Sequence, residues 1–296
     1  MKKLEGAVVV LTGASSGIGR VAAKMFARRG AKLVLAARSA GALQEVMRRC
    51  VELGSEAIAV PTDVRDESQV LALRDAAVAR FGRIDVWVND AAVYMMGSLH
   101  QVPSELVRGL LETNVMGYFH GAKAAVTQFR KQGSGTLISV GSVAGKVPYA
   151  KASAYCASKH AIHAMNAALR QELVGTKIDA CVVAPGSVDT PIFDHAANYT
   201  GQELKVMPPI YSPQRVARAI VRCAERPRRE VLVGGAPMLL TLMHMLTPWL
   251  FERVQPKLVA KTHLGPRAAP KIPGNIPDTL PPYDDDAGWR QGRKSV

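Results

Sequence analysis

The stretch TGASSGIGR, residues 12–20, decides how the chain begins to fold. It follows the apolar run AVVVLT (7–12), and a helical pattern follows its three glycines. A strand that ends in a glycine turn before a helix lets bare backbone approach a pyrophosphate, and the helix N-terminus offers unpaired N–H groups. This position, at the first strand–helix junction, predicts a nucleotide-binding loop rather than a turn that only joins two elements.

The rest of the chain repeats the alternation of strand and helix. Each predicted strand is a short apolar run with little polar alternation, as in strands that helices cover on both faces. The pattern predicts an α/β fold, with a doubly wound parallel β-sheet of about seven strands flanked by helices. Predicted strands occupy 7–12, 32–37, 56–60, 84–89, 135–141, 177–184 and 229–234. Predicted helices occupy 17–29, 40–53, 66–81, 103–131 (as two helices), 153–174 and 212–225.

The alternation stops at Ala236, which divides the chain into three predicted parts. Residues 1–235 form the doubly wound domain. Residues 236–264 are largely apolar and predict a helical extension, too short and too interrupted by Pro248 to span a bilayer. This extension has three alternatives: it packs on a partner subunit, caps the substrate cleft or lies in a membrane interface. Residues 265–296, rich in proline and charge, predict an extended arm or a flexible tail, with a solvated acidic run.

Charge and composition narrow the classes of partner. The formal net charge of +14 admits nucleic acid, an anionic membrane or a small polyanion. The chain lacks the interleaved aromatic residues that base stacking needs, so no nucleic acid is expected. The cysteines form no CxxC pair and the histidines lack ligands at metal-binding spacing, so no metal site is expected. The location is expected to be cytoplasmic, with peripheral membrane contact through 236–261 as an alternative.

The end of the second strand decides which dinucleotide is expected. NAD sites usually place a carboxylate there for the adenosine ribose 2′-hydroxyl, but this chain has Ala37 followed by Arg38. A guanidinium binds a 2′-phosphate with two parallel hydrogen bonds, so NADP(H) is preferred over NAD(H). After the third strand, Asp63 and Val64 offer a carboxylate and an N–H group to the adenine, although a helix N-terminal turn would also explain Asp63.

Further segments complete a family pattern in a fixed order. Besides TGASSGIG they are DV (63–64), NDAA (89–92), Asn114, Ser142, YCASK (155–159) and PGSVDT (185–190). On these residues the chain resembles the short-chain dehydrogenase/reductase family. The resemblance implies a Rossmann-fold catalytic domain over 1–235 with strand order 3-2-1-4-5-6-7. It also implies an NADP(H)-dependent oxidoreductase that acts on CH–OH groups, and a homodimer or homotetramer built on the long helices.

The resemblance assigns the chemistry to four residues. Tyr155 is the general acid that protonates a carbonyl oxygen as hydride arrives, or the base of the reverse reaction. Lys159, on the same helical face, lowers the pKa of the phenol and bonds the nicotinamide ribose. Ser142 polarises the substrate oxygen. Asn114 holds a water that links Lys159 to solvent, and its alternative is a helix kink or a buried hydrogen bond. The expected cofactor-binding residues are Gly13, Ser15, Ser16, Gly17, Ile18, Gly19, Arg38, Asp63, Val64, Asn89, Ala91, Tyr155, Lys159, Pro185, Gly186, Val188 and Thr190.

One motif departs from the family pattern, because Asp90 and Ala92 replace its second asparagine and its glycine. The change could alter packing near the adenosine or the charge under the cofactor, but it touches no proton-transfer group.

The substrate cleft is predicted from the segment between Thr190 and Ser212, where aromatic and apolar residues alternate with polar ones. It predicts a loop and a short helix that close over the substrate. With YMMGSLH (94–100) it indicates a roomy apolar cleft, which favours a lipophilic alcohol or ketone. Two alternatives remain, a nucleotide-binding regulator without turnover and a membrane-surface interaction protein. The intact catalytic residues argue against the regulator.

Overall fold

The secondary structure is taken from a computed structural model, which describes residues 3–291 without the side chains of residues 236 and 237. The strands are β1 (Val8–Thr12), β2 (Lys32–Ala37), β3 (Ala57–Pro61), β4 (Val86–Asn89), β5 (Met95–Gly97), β6 (Ser134–Val140), β7 (Lys177–Pro185), β8 (Ala197–Tyr199), β9 (Gln202–Leu204), β10 (Glu230–Val233) and β11 (Leu264–Ala268). The helices are α1 (Gly17–Ala27), α2 (Ala40–Glu52), α3 (Glu67–Phe81), α4 (Ser104–Leu111), α5 (Gly117–Gln132), α6 (Ser153–Glu172), α7 (Pro213–Glu225), α8 (Gly235–Leu246) and α9 (Pro248–Thr262).

A parallel sheet of seven strands lies at the centre of the molecule. Its strand order is β10-β7-β6-β4-β1-β2-β3. The predicted doubly wound sheet is confirmed, and so is the order 3-2-1-4-5-6-7 that the resemblance implied. Apart from the short helix expected between Thr190 and Ser212, the predicted strands and helices up to residue 235 are present, with ends that differ by one or two residues.

Helices cover both faces of this sheet, which is why its strands are apolar throughout. Successive strand residues point to opposite faces, so Val9 packs with Phe26 of α1 while Val10 packs with Trp87 and Phe129 on the other side. All of these side chains are fully buried. Burial of one such side chain stabilises the fold by about 1.5–3 kcal/mol.

The carboxyl ends of the parallel strands meet at one edge, and this edge positions the site. The loops after β1, β2 and β3 bring Gly13, Arg38 and Asp63 to it, and the loops after β4 and β6 add Asp90 and Ser142. Ligands of open α/β sheets bind outside the carboxyl ends of the strands.

The segment between Thr190 and Ser212 differs from its prediction, because it contains two short strands and no helix. The Asn198 side chain closes a turn between β8 and β9, accepting from the Thr200 N–H at 3.0 Å and donating to the Gln202 carbonyl at 2.8 Å. β8 then pairs with β5, and β9 pairs with β11. The predicted short helix is wrong because these strands find partners far away in the chain.

The C-terminal part leaves the sheet after β10. α8 and α9 follow each other with only Thr247 between them, and we call them the hairpin. None of the helices within residues 3–291 has both the length and the hydropathy needed to cross a bilayer. Residues 264–291, which we call the arm, run extended along the domain and begin with the pairing of β11 on β9. Residues 292–296 of the predicted arm or tail lie outside the described residues.

Candidate active site

Ser142 and Tyr155 come together on the wall of a cavity. Ser142 follows β6, where its hydroxyl accepts from the Ala144 N–H at 3.1 Å and begins a short 3-10 turn. Tyr155 lies in the first turn of α6, and it lines the same cavity as Ser142, near enough for the Ser142 hydroxyl to oppose the rise of the Tyr155 pKa. Both residues are buried, so their hydroxyl groups are held in place and screened from bulk water.

Lys159 lies one turn further along α6 and is also buried. Its ammonium donates to the Val140 carbonyl at 3.1 Å and lies 5.8 Å from the centre of the Tyr155 ring. Burial lowers the pKa of Lys159 to about 8. Burial likewise raises the pKa of Tyr155 above its ordinary value, and the Ser142 hydroxyl offsets this only in part. The expected lowering of the Tyr155 pKa by Lys159 is therefore not found, since desolvation of the phenol is the larger effect.

Asn114 lies in a single turn of π-helix, Glu112–Met116, that joins α4 to α5. Its side-chain oxygen accepts from the Val93 N–H at 2.8 Å, and its amide donates to the Val93 carbonyl and to the Ser158 hydroxyl. The two features that were the alternative to a water relay at Asn114, an irregular helix and a buried hydrogen bond, are thus both present. A water relay from Asn114 to Lys159 stays a prediction.

The glycine loop packs against the end of β4 at a distance that only glycine permits. Gly13 has φ +72°, and a Cβ there would lie 2.7 Å from the Ala91 nitrogen. A Cβ on Gly19 would lie 2.2 Å from the Gly13 carbonyl oxygen. The loop can therefore bring its backbone close to a ligand at the N-terminus of α1.

A cleft with a cavity volume of about 150 Å³ opens beside this loop, smaller than the range of about 300–1,000 Å³ that ligand sites occupy. Of the residues expected to bind the cofactor, those that line the cleft are Gly13, Ser15, Ser16, Gly17, Ile18, Arg38, Asp63, Val64, Ala91 and Thr190. His195 Nε2 and Asn275 Oδ1, on two further lining residues, are buried without a hydrogen-bond partner among the described residues. A dinucleotide fits this lining, because it supplies polar groups to both atoms and an anion to the helix N-terminus.

Other expected cofactor residues lie elsewhere. Tyr155 and Gly186 line the neighbouring cavity. The Asn89 side chain accepts from Trp87 Nε1 at 2.8 Å and donates to the Tyr118 carbonyl at 3.2 Å, which fixes β4 to α5 behind the cleft. The remaining four, none of which lines the cleft, are Gly19, Lys159, Pro185 and Val188.

Arg38 reaches the adenosine end of the cleft, where the arm already contacts it. Its guanidinium donates to the Asn275 carbonyl at 2.8 Å and to the Ile276 carbonyl at 3.5 Å. Asp63 accepts from Arg65 Nε at 3.0 Å and forms an ion pair with it. Arg38 therefore lies beside the cleft without a side-chain carboxylate as its hydrogen-bond partner.

Asp90, the departure from the family pattern, is half-buried between the glycine loop and Lys159 and lines the cleft. Burial raises the pKa of its carboxyl to about 7, while the charge of Lys159 and the N–H of Gly19 oppose the rise. The Asp90 charge in turn raises the pKa of Lys159 against the effect of burial. The replacement of the family asparagine by Asp90 thus places a carboxyl that titrates near neutral pH close to Lys159.

The second cavity has a volume of about 110 Å³ and a mostly apolar wall. Ile192 borders both this cavity and the dinucleotide cleft. The second cavity is lined by Tyr94, Ser142, Val143, Ala144, Val147, Tyr149, Tyr155, Gly186, Ser187, Ile192, Phe193, Met207, Leu240, Phe251, Gln255, Leu258 and His263. A molecule in this cavity would lie against the Ser142 and Tyr155 hydroxyl groups.

A chain of hydrogen bonds on this wall was not predicted. Tyr149 donates to the Tyr94 hydroxyl at 3.2 Å, and the Tyr94 hydroxyl bonds His263 Nε2 at 2.8 Å. His263 Nδ1 bonds the Lys205 carbonyl, which must accept, so Nε2 is the acceptor for Tyr94. Burial lowers the pKa of His263 to about 4, which leaves the ring neutral. His263 lies far from the catalytic motif in sequence, so no local pattern indicates its place.

The arm forms the outer wall of the dinucleotide cleft, which the sequence did not indicate either. Thr279, Leu280 and Tyr283 line the cleft together with Asn275. Asp285, expected to be solvated as part of an acidic run, instead forms ion pairs with two basic residues of α1. That expectation is wrong for Asp285, because the arm brings its carboxylate onto the helix.

Known proteins with the same architecture identify the family. A family model described as short chain dehydrogenase matches residues 7–199. The uncharacterized oxidoreductase YxnA of Bacillus subtilis is 38% identical over 263 residues, which cover 88% of this chain and 74% of that protein. The ketoacyl reductase HetN of Nostoc is 32% identical over 246 residues, covering 83% of this chain and 85% of that protein.

A solved structure supports the fold. A short-chain dehydrogenase/reductase from Burkholderia phymatum, in complex with NAD, superposes with a TM-score of 0.76 at 24% identity, over 92% of this chain and all of that one. The chain belongs to the short-chain dehydrogenase/reductase family. It is accordingly an oxidoreductase of the kind that interconverts carbonyl and alcohol groups with a nicotinamide dinucleotide.

Proposed function

We propose that the protein is an NADP(H)-dependent oxidoreductase that interconverts a lipophilic ketone or aldehyde and its alcohol, with Tyr155 as the general acid or base. One observation carries the proposal. Ser142 and Tyr155 together line an apolar cavity that adjoins the dinucleotide cleft at Ile192. A carbonyl in that cavity reaches a proton donor on one side and the cleft on the other.

The residues of this chain supply the proton and its control. The bound nicotinamide dinucleotide would supply the hydride. Burial raises the pKa of Tyr155, so the phenol holds its proton at neutral pH and is a donor to a substrate oxygen. Ser142 orients both that oxygen and the phenol. The Lys159 cation stabilises the phenolate that remains after the transfer, over the distance of 5.8 Å between its nitrogen and the ring centre.

The preference for NADP(H) rests on the end of β2. Ala37 brings no carboxylate that would bond a ribose 2′-hydroxyl or repel a phosphate, and both Ala37 and Arg38 line the cleft. A guanidinium has five N–H donors, and the two arm carbonyls occupy only part of them. The remaining N–H donors of Arg38 can bind the oxygens of a 2′-phosphate.

The substrate class follows from the wall of the second cavity. Its neutral His263 and its aromatic and aliphatic side chains offer no cation to a carboxylate or phosphate. Because Tyr149 donates to Tyr94 and Tyr94 donates to His263, the Tyr149 oxygen is left as an acceptor only. The cavity therefore suits an uncharged lipophilic substrate, and a hydroxyl or N–H group on it can donate to Tyr149. The name of the Nostoc relative, a ketoacyl reductase, supports a carbonyl substrate.

The experiment is a reductase assay of wild type and Tyr155→Phe with NADPH and a panel of ketones, aldehydes and carboxylated analogues. Loss of the phenolic proton should lower kcat by about 10²–10⁴, the range of general acid catalysis, with NADPH binding retained. Tyr199→Phe, which removes a phenol that lines neither cavity, is the matched control. Retention of most activity by Tyr155→Phe would contradict the assigned acid. Binding of NADPH by a wild type that reduces no compound would support the regulator instead.

We further propose that the hairpin makes peripheral contact with an anionic membrane. It exposes a continuous set of large apolar residues, while Leu240, Phe251 and Leu258 of the same hairpin form part of the substrate cavity wall. The exposed residues are Met238, Leu239, Leu242, Met243, Met245, Leu246, Trp249, Leu250, Val254 and Leu258. A lipophilic substrate could then pass from the membrane to the cavity beside these helices.

Charge next to the hairpin favours an anionic lipid surface over a second copy of the chain. The groove between α7 and β10 leads directly into α8 and is lined by arginines. They are Arg215, Arg218, Arg222, Arg226 and Arg228. Basic residues near an anionic leaflet contribute about 1 kcal/mol each, whereas the same groups would repel a symmetric copy.

We also propose that the chain forms a homodimer or homotetramer, with a subunit contact on a face other than that of the hairpin. Met116 and Phe119, at the start of α5, are 41% and 47% exposed. These apolar side chains lie on one of the long helices on which a subunit contact is expected. Sedimentation of wild type and Phe119→Glu tests this, since a charge at such a contact should dissociate the oligomer.

A further inference from the structure

We propose that the arm is part of the dinucleotide site and closes over the bound dinucleotide, so that exchange requires its far end to detach. The inference rests on the proposed binding of a dinucleotide in the cleft. The arm crosses the cleft from the substrate side to the N-terminus of α1, and each part of that path is fixed by contacts with a different element.

The near end of the arm is held by backbone pairing. After β11, Ile272 and Asn198 exchange two backbone hydrogen bonds of 3.0 and 3.1 Å. Gly274, with φ +58°, then lies so close to the chain that a Cβ would be 2.3 Å from the His195 carbonyl oxygen. The Asn275 N–H donates to the same carbonyl at 2.9 Å. This end is therefore part of the folded domain.

The middle of the arm lies over the cleft. Asn275 and Ile276 place their carbonyls on Arg38, and the Ile276 side chain is buried. Thr279, Leu280 and Tyr283 then form the wall that faces the glycine loop. A cavity of only about 150 Å³ remains under this wall, so the arm must shift outward to accommodate a whole dinucleotide.

The far end is fastened to α1 along most of its length. The Asp284 carbonyl accepts from the Gly17 N–H at 2.8 Å. The Asp285 carboxylate accepts from Arg20 Nε at 3.1 Å and forms an ion pair with Lys24. These contacts lie directly beside the loop that should hold the pyrophosphate.

Beyond them, a buried carboxylate holds the last described residues. Asp189 follows β7 in the PGSVDT segment and is only 3% exposed. It accepts from the N–H groups of Ala287, Trp289 and Arg290 at 2.9–3.1 Å. The arm is thus tied on both sides of the cleft, and a molecule as large as a dinucleotide cannot leave past it while both ties hold.

The two ends differ in strength, which determines where the cover opens. The near end combines strand pairing with the buried Ile276, whereas the Asp285 carboxylate is 32% exposed and its ion pairs are open to water and salt. Partly exposed ion pairs stabilise weakly and are screened by salt. The ion pairs of Asp285 should therefore break first, and release of the dinucleotide should be limited by this step together with the opening of the Asp189 hydrogen bonds.

The experiment compares Asp285→Asn with Asp286→Asn. Both variants remove one negative charge from adjacent residues, but among the described contacts only Asp285 reaches α1, while Asp286 is exposed. Protein premixed with NADPH is mixed with excess NADP⁺ in a stopped-flow instrument, and the loss of NADPH fluorescence gives the dissociation rate. Asp285→Asn should raise this rate about tenfold, equivalent to about 1.4 kcal/mol of lost closure. Asp286→Asn should leave it unchanged.

Other outcomes overturn the proposal and identify the error. If Asp285→Asn speeds NADPH association and tightens binding without changing dissociation, the arm obstructs the site instead of closing over it. Equal rates for all three proteins would show that the arm does not gate exchange. Failure of the wild type to bind NADPH would contradict the proposed function itself. Hydrogen exchange at Ala287, Trp289 and Arg290 provides a second readout, since bound NADPH should slow it in the wild type more than in Asp285→Asn.

Discussion

At the scale of single residues, the substitution of Asp90 for the family asparagine has the clearest electrostatic effect. The half-buried Asp90 carboxyl, with a pKa of about 7, faces the buried Lys159 ammonium, with a pKa of about 8. Each charge stabilises the other, while burial disfavours both. Between these two values the pair is largely charged, and below about 7 Asp90 takes up a proton first.

Asp90→Asn should therefore change the pH profile of reduction. In the wild type the rate should fall as the pH rises through about 8, where Lys159 loses the proton that stabilises the phenolate. The variant loses the attraction that raises the Lys159 pKa, so the fall should move to lower pH. Log kcat measured against pH with saturating NADPH reports the midpoint. Asp75→Asn, on the surface of α3, is the charge-matched control, and an unmoved midpoint in Asp90→Asn would refute the coupling.

Arg38→Gln should reduce the discrimination between the two dinucleotides. The guanidinium can bind a 2′-phosphate, and a hydrogen bond to a charged group contributes about 1.5–3 kcal/mol. The NADPH affinity should drop about tenfold or more while the NADH affinity changes little, as measured by fluorescence titration. Arg65→Gln serves as the control, since Arg65 also donates to the Ile276 carbonyl but is paired with Asp63. Equal weakening of both dinucleotides by Arg38→Gln would assign Arg38 to holding the arm.

The site residues that sequence predicts are those whose neighbours in the site are also near in sequence. Tyr155 and Lys159 share one helical face, and Gly13 and Gly17 share one loop, so their spacing carries the information. His263 has its partner Tyr94 on a different part of the chain, and only folding brings the two together. The burial of Tyr155 also results from contacts between residues far apart in sequence. Only the structure therefore shows that its pKa is raised and not lowered.

At the scale of elements, the strands of the central sheet follow directly from composition because each is buried on both faces. β8 and β9 behave differently, since each has only three residues and is partly polar. Their conformation depends on pairing with β5 and β11, which the sequence between Thr190 and Ser212 does not contain. Short strands of this kind are defined by their partners rather than by their own propensity.

The hairpin is the element whose surface predicts a new interaction. Leu246→Glu, at a position that is 72% exposed, should abolish co-sedimentation with vesicles rich in phosphatidylserine, because a charge on an inserted apolar face opposes burial in lipid. Leu99→Glu, at a 74% exposed position outside the hairpin, should sediment as the wild type does. Wild type that stays in solution with these vesicles would rule out the membrane contact.

At the scale of the whole molecule, the arm is joined to the catalytic domain by a third apolar core. Besides the two cores on the faces of the sheet, a cluster beside the substrate cavity combines residues from distant parts of the chain. It includes Tyr94, Leu110, Ala197, Val259, Leu264 and Ile276. The arm therefore contributes to stability as well as to the cleft.

Ile276→Ala tests this contribution. Ile276 is 2% exposed and packs near Gly109 of α4, so removal of its side chain should lower the free energy of unfolding by about 2–5 kcal/mol. Ile272→Ala, four residues earlier and 40% exposed, should cost clearly less. Urea unfolding of the two variants measures the difference. Similar, small losses would show that the arm rests on the domain without stabilising it.

The alternating apolar runs and the glycine loop were enough to predict the sheet, its flanking helices and the part of the cleft lining that the loop supplies, because these depend on periodicity and on backbone freedom near one position. The course of the arm over that cleft, the neutral His263 in the substrate wall and the raised pKa of Tyr155 depended on the folded chain. Each of these results from contacts between residues far apart in sequence, and from the water that those contacts exclude.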